Sequence, residues 1–270
     1  MKIIDKSKSS IEQLVDVLRA LRAPDGCPWD REQTAISLTQ FLAEECAEAI
    51  EAINKGDDEE VCDELGDVLM NVVFQSIIAE EQGTFNFSDI AAMSVEKMVR
   101  RHPHVFGDVV AEDAATVKKN WDEIKKKEKG DIAESFSILD NIPASLSALL
   151  KARKVQRKAA KVGFDWNCQQ QILDKITEEL VELKEAMSKD IGQRDEEHID
   201  EEIGDLLFAV VNLSRFRKRA TAEQLMQNAV QKFEKRFRYI ESSLKSQGKD
   251  FSDSNIVEME QLWCEAKKKL

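Results

Sequence analysis

Apolar residues recur with a helical period of 3.6 along nearly the whole chain, and the alternation that marks strands is rare. Ile11, Leu14, Val15, Leu18 and Leu21 fall on one face and predict a helix over residues 8–21. The segment Ala23-Pro24-Asp25-Gly26-Cys27-Pro28 breaks it. Further helices are predicted over residues 34–54, 58–81, 88–102 and 113–128. Lys129-Gly130-Asp131 and Asp140-Asn141-Ile142-Pro143 read as a linker. Beyond it the pattern predicts helices over 143–161, 169–188, 196–219, 221–245 and 255–268. The expected fold is all-α, with five helices in each half and domains at 1–130 and 140–270.

The two halves also repeat their landmarks in order. Cys27-Pro28-Trp29-Asp30 is echoed by Gly163-Phe164-Asp165-Trp166, and Glu44-Glu45-Cys46-Ala47-Glu48 by Glu178-Glu179-Leu180-Val181-Glu182. Glu64-Leu65-Gly66-Asp67 returns as Glu202-Ile203-Gly204-Asp205. Lys97 and Arg101 are matched by Lys232 and Arg236, and Trp121 by Trp263. An ordered series of this kind marks an internal duplication.

The repeated acids carry candidate chemistry. Glu179 and Glu182 lie at i, i+3 on one predicted helix, and Glu202 and Asp205 at i, i+3 on the next. A short connection, around 190–195, lets adjacent helices bring both pairs together. Glu45, Glu48, Glu64 and Asp67 repeat the pattern across Asn54-Lys55-Gly56-Asp57. Carboxylates crowded in this way repel one another. Hard oxygen ligands without His or Cys suit Mg2+, with Mn2+ as the alternative. Gly66 and Gly204 stand between the paired acids, where a helix-interior glycine is explained by the close approach of a backbone, a hydrated metal or a ligand. Among 52 acidic residues one E-x-x-E is commonplace; the same pair of pairs twice in one order, flanked by apolar Leu42, Leu65, Leu69, Leu180 and Leu207, is not.

Composition narrows the partners. The formal net charge of -13 disfavours a nucleic-acid backbone, which needs a Lys/Arg surface. A small anion bridged by a divalent metal remains compatible with it. No apolar run approaches the ~20 residues of a membrane span. The N-terminal residues lack an apolar signal core, and five cysteines without a C-x-x-C pair read as free thiols. A cytoplasmic location is expected.

The duplicated E-E-x-x-E and E-x-G-D motifs resemble the MazG family of all-α nucleoside triphosphate pyrophosphohydrolases. Gly26-Cys27-Pro28-Trp29-Asp30, Arg101-His102-Pro103-His104-Val105-Phe106-Gly107 and Val162-Gly163-Phe164-Asp165-Trp166 resemble it too. The likeness spans nearly the whole chain. It implies Mg2+-dependent hydrolysis of nucleoside triphosphates between the α and β phosphates, giving monophosphate and pyrophosphate, by homodimers whose helices pack as bundles. It places metal ligands on Glu45, Glu48, Glu64 and Asp67 and on Glu179, Glu182, Glu202 and Asp205. The same likeness puts phosphate contacts on Lys232 and Arg236 and a base contact on Trp263.

The residues agree with that chemistry. A triphosphate needs cations as well as metals, and Lys232/Arg236 and Lys97/Arg101 each lie at i, i+4 on one helix. Lys175 lies one turn before Glu179 and reaches toward the same phosphates. The expected nucleophile is metal-bound water, with Glu178 or Glu179 orienting it or accepting its proton. Trp263 or Trp166 offers a stacking face tolerant of base identity. The basic face of Lys151, Arg153, Lys154, Arg157, Lys158 and Lys161 reads as solvated or paired with the other copy, and His102 and His104 as a turn around Pro103. The copies differ at two positions beside the acids: Asn212 and Lys175 are matched by Phe74 and Phe41. The C-terminal copy is therefore expected to do most of the catalysis. Rival readings are a deoxyuridine nucleotide or phosphoribosyl-ATP pyrophosphohydrolase, a nucleotide-binding module without turnover, and a purely structural helical repeat.

Overall fold

A computed structural model describes residues 5–128, 137–188, 195–217 and 219–270, and among these every regular element is helical. The chain divides into two compact units, Met1–Asp131 and Ile132–Leu270.

The first unit contains α1 (Ser10–Arg22), α2 (Pro28–Glu32), α3 (Thr39–Lys55), α4 (Asp58–Glu81), α5 (Phe87–Arg101), α6 (Pro103–Phe106) and α7 (Ala114–Glu128). Helix α4 is central: it packs on α3, α1 and α5, and α5 in turn packs on α7. Leu18, Leu38, Val73, Phe74, Ile77 and Ile78 form the core, with the predicted face of α1 against them. Gly56 ends α3 in the left-handed region at φ 78° and donates its N–H to the Ala52 carbonyl. A side chain there would be strained, so glycine permits the immediate reversal into α4. Asp57 then caps α4, its carboxylate accepting from the Glu59 and Glu60 N–H groups.

The second unit contains α8 (Ala148–Ala160), α9 (Gln169–Ser188), α10 (Glu196–Arg215), α11 (Ala222–Ser246), a 3-10 turn (Phe251–Asp253) and α12 (Ile256–Lys269). Helix α10 packs on α9 and α8, and α11 on α12. Ile240, Leu244 and Leu262 form a small core there. Asp195 caps α10 through the His198 N–H, as Asp57 caps α4. Ser76 and Ser214 are both buried, and each donates its hydroxyl to a carbonyl three residues earlier at 2.6 Å. The duplication thus extends to helix starts and interior hydrogen bonds.

Several predicted boundaries are corrected. Helix α3 starts at Thr39, not 34, because the Thr34 and Ser37 side chains each accept the other's backbone N–H and hold a turn. Helix α8 starts at Ala148, not Pro143, behind a Ser147 cap. Helix α10 ends at Arg215, short of 219. Pro28 and Pro103 open the short helices α2 and α6 instead of simply breaking the chain; proline is well suited to a first helical turn, whose N–H has no internal partner. The linker core at 129–131 and most of the connection at 190–195 lie outside the described residues.

Candidate metal-binding and nucleotide site

The α3–α4 and α9–α10 pairs each bring three acids together. Glu45, Glu48 and Glu64 each offer an oxygen within 4.8 Å of the others, and so do Glu179, Glu182 and Glu202. The fourth predicted ligand of each set, Asp67 or Asp205, stands outside these groups of three. Asp67 is nonetheless close enough to act on Glu45 and Glu64: burial, then the neighbouring carboxylates, Asp67 among them, raise both groups above the ordinary carboxylate range. Glu182 is raised likewise, by burial first and then by Glu202.

Glu179 and Glu202 are 6% and 9% exposed, unusual for carboxylates. Oxygens Oε2 of Glu64 and Oε2 of Glu202 are buried without a hydrogen-bond partner. An ionised oxygen in that position calls for a cation, and hard donors in a cluster of three fit Mg2+ or Mn2+. The donor set and the bare oxygens therefore match the expected ion. The flanking leucines do not seal the acids: Leu65, Leu180 and Leu207 are 49%, 39% and 51% exposed. Among the described residues, nothing beyond its own helix backbone and chain neighbours lies within 4 Å of a Cβ built on Gly66 or Gly204, so no packed neighbour there accounts for glycine.

The predicted cations are distributed unequally. Lys175 donates to Glu178 at 2.7 Å and lies 2.9 Å from Glu179, and both contacts raise its ammonium further above the usual lysine range. His198, on the first turn of α10, puts Nδ1 3.5 Å from Glu202. Asn212 accepts from Arg215 at 2.8 Å, whereas Phe74 is buried in the first core beneath the Arg22 guanidinium. Arg236 lies 5.5 Å over the Trp263 ring, and Arg101 5.6 Å over Trp121. Lys97 is half-buried on α5, and Lys232 is exposed on α11. Trp263 also packs on Phe233, with ring centres 5.1 Å apart, while Trp166, the last residue of the second unit's repeated segment, is 39% exposed.

Sequence reasoning missed two arginines that fix the repeated Trp–Asp loops. Arg22 donates to the backbone oxygens of Asp30 and Gln33 and pairs with Glu81 at 2.6 Å. Arg215 pairs with the Asp165 carboxylate at 2.7 Å. They come from different helices, α1 and α10, so no alignment of the halves superposes them. The available signal was Asp165, an acid within an otherwise apolar motif.

The fold and site define a class: all-helical proteins in which each of two repeated units carries one acid-bearing helix pair. A family model for the MazG nucleotide pyrophosphohydrolase domain matches residues 33–106 and again 168–240. The chain is 40% identical over 261 residues to a nucleoside triphosphate pyrophosphohydrolase of Escherichia coli (strain K12), covering 96% of this chain and 98% of that one. It is 42% identical over 256 residues, 95% of each chain, to the nucleoside triphosphate pyrophosphohydrolase/pyrophosphatase MazG of Thermotoga maritima. A crystal structure of a mazG-related protein from Thermotoga maritima aligns with 43% of this chain and 98% of its own, at 28% identity and a TM-score of 0.38. The chain belongs to the MazG nucleotide pyrophosphohydrolase family, with the family's domain present twice.

Proposed function

We propose that this chain hydrolyses nucleoside triphosphates to monophosphate and pyrophosphate with Mg2+, Mn2+ being the alternative ion. The observation that carries the reading is Glu202, with a buried, unpartnered Oε2, grouped with two further carboxylates each offering an oxygen within 4.8 Å of the others, an arrangement repeated at Glu64. The names of full-length relatives support the same activity. The ligands in this reading are Glu179, Glu182, Glu202 and Asp205 in the second unit and Glu45, Glu48, Glu64 and Asp67 in the first. A divalent ion held there supplies positive charge to the phosphates and lowers the pKa of water in its shell.

The remaining work falls to the chain's own groups. Glu178, tethered by Lys175, orients the attacking water and accepts its proton, with Glu179 beside it. Lys175, Lys232 and Arg236 hold the phosphates and balance charge developing on the leaving pyrophosphate. Trp263, already covered on one side by Arg236, packs against the base, and Asn212 binds a polar group of the nucleotide. The second unit does most of the catalysis in this reading, because the first has Phe41 and Phe74 where Lys175 and Asn212 stand. Domains of 1–130 and 140–270, a homodimer and a cytoplasmic setting complete the proposal. Apolar side chains left exposed on α9–α11, such as Leu207, Phe208 and Phe233, favour a second copy as cover.

The test is incubation with each ribo- and deoxyribonucleoside triphosphate, dUTP and phosphoribosyl-ATP included, with and without Mg2+, and chromatography of the products. Monophosphate plus pyrophosphate only with Mg2+ is expected. Diphosphate plus phosphate would place the cut elsewhere and overturn the mechanism. If Glu64→Gln abolished turnover while Glu202→Gln spared it, the assignment between units would reverse.

A further inference from the structure

The two units build the same arginine-on-tryptophan pair and then treat the arginine differently. Arg101 lies over Trp121, and Arg236 over Trp263, at nearly equal distances of 5.6 and 5.5 Å. On α7, Glu128 follows Trp121 by two helical turns and so shares its face. Its carboxylate accepts from Arg101 Nη2 at 2.6 Å and from Arg101 Nε at 3.2 Å, a two-pronged contact, while Arg100 Nε donates to it at 2.9 Å. Glu128 and Arg101 have side chains only 19% and 15% exposed. The two guanidinium groups hold the Glu128 carboxyl at about 2, well below the ordinary range.

The corresponding position after Trp263 is Leu270, an apolar residue 69% exposed. Among the described residues Arg236 makes no ion pair. A guanidinium already gripped in two-pronged fashion by a carboxylate has its best donors spent, and an incoming phosphate must displace that carboxylate and then face its charge.

We propose that Glu128 is a specificity-determining residue that withholds Arg101 from phosphate, so that the N-terminal unit rejects the polyphosphate the C-terminal unit accepts. The inference rests on the reading of Arg236 as a phosphate contact. The three acids of the first unit are untouched by it, so that unit keeps its cation-binding groups while losing affinity for the anionic substrate. Glu128 thereby works as a repulsive element against the substrate.

The test uses the full chain and titration calorimetry with α,β-methylene-ATP and Mg2+. Arg236→Ala is expected to weaken binding at least tenfold, and adding Glu128→Gln to that background to restore at least tenfold tighter binding, about 1.4 kcal/mol. The reciprocal Leu270→Glu, at an exposed position, is expected to weaken the otherwise wild-type chain by a similar factor, and it carries the test if Glu128→Gln fails to fold. If Arg236→Ala weakens binding but neither Glu128→Gln nor Leu270→Glu moves it, this inference alone falls. If Arg236→Ala leaves binding intact, the phosphate reading falls and takes the inference with it.

Discussion

Asp165→Ala and Asp30→Ala alter corresponding acids of the repeated loops, and the structure assigns them very different costs. Arg215 is 9% exposed at its side chain and its Nε has no partner, so the guanidinium depends on the Asp165 carboxylate at 2.7 Å and on Asn212 at 2.8 Å. Removing one member of a buried ion pair typically costs 3–5 kcal/mol, because a charge is left buried and unpaired. Asp165 is 30% exposed and Asn212 remains, so water enters part of the gap and the expected loss is about 2–3 kcal/mol. Asp30 is different: Arg22 takes its backbone oxygen, at 2.5 Å, and that contact survives in alanine. Its carboxylate contributes only an acid in the first turn of α2, so Asp30→Ala is expected to cost about 0.5 kcal/mol or less. Urea unfolding followed by tryptophan fluorescence measures both, and hydrogen exchange localises the first loss to α10 and the loop around Trp166. In a double-mutant cycle, Arg215→Met should rescue Asp165→Ala with a coupling near ~2 kcal/mol. Equal costs for the two aspartates, or a coupling below about 0.5 kcal/mol, would refute the argument.

Crowded acids give a second expectation: Glu202→Gln should melt above the wild type in EDTA, where it relieves repulsion, and below it in saturating Mg2+, where it lacks a ligand; calorimetric scans in both buffers show whether the curves cross. A pH series follows from Glu45, Glu64 and Glu182. Their folded values lie above the unfolded 4.5, so they cost nothing below it and increasingly destabilise the metal-free protein as pH rises through the raised values. Their contribution to melting temperature in EDTA should therefore fall with pH above about 4.5 and flatten when Mg2+ is added. Glu128 carries the opposite sign: its stabilisation is present above 4.5 and lost as pH falls toward about 2. The melting difference between wild type and Glu128→Gln should therefore shrink over that interval.

The acid-bearing helices were legible because their evidence is local. Glu45/Glu48 and Glu179/Glu182 share a helix face by spacing alone, and Gly56-Asp57 announces a tight reversal into α4. Two levels of structure were not legible. Short helices opened by Pro28 and Pro103 hold too few residues for a hydrophobic period to develop, and prolines followed by so few helical residues read as breaks. Contacts distant in sequence, such as Arg22 with Glu81 or Arg101 with Glu128, leave no periodic trace. Lys175 shows the boundary between these levels. Its spacing from Glu179 put it beside the acids, but its bond to Glu178, which ties the proposed proton acceptor to a phosphate contact, depends on side-chain conformation.

Duplication makes these differences informative. Both units retain the same cap, interior serine, trio of acids and arginine-on-tryptophan pair, so the helix frame imposes those features on each. What differs is the polar equipment beside the frame: Lys175 and Asn212 against Phe41 and Phe74, and Leu270 against Glu128. Phe74 lies in the first unit's hydrophobic core, and Phe41 packs against it. In the proposed reading, a core phenylalanine at the place of Lys175 or Asn212 exchanges recognition for burial, worth about 1.5–3 kcal/mol for a fully buried side chain. Under the proposed function the first unit thus offers fewer groups to an anion, because Phe41 and Phe74 go to its core where Lys175 and Asn212 would meet the nucleotide.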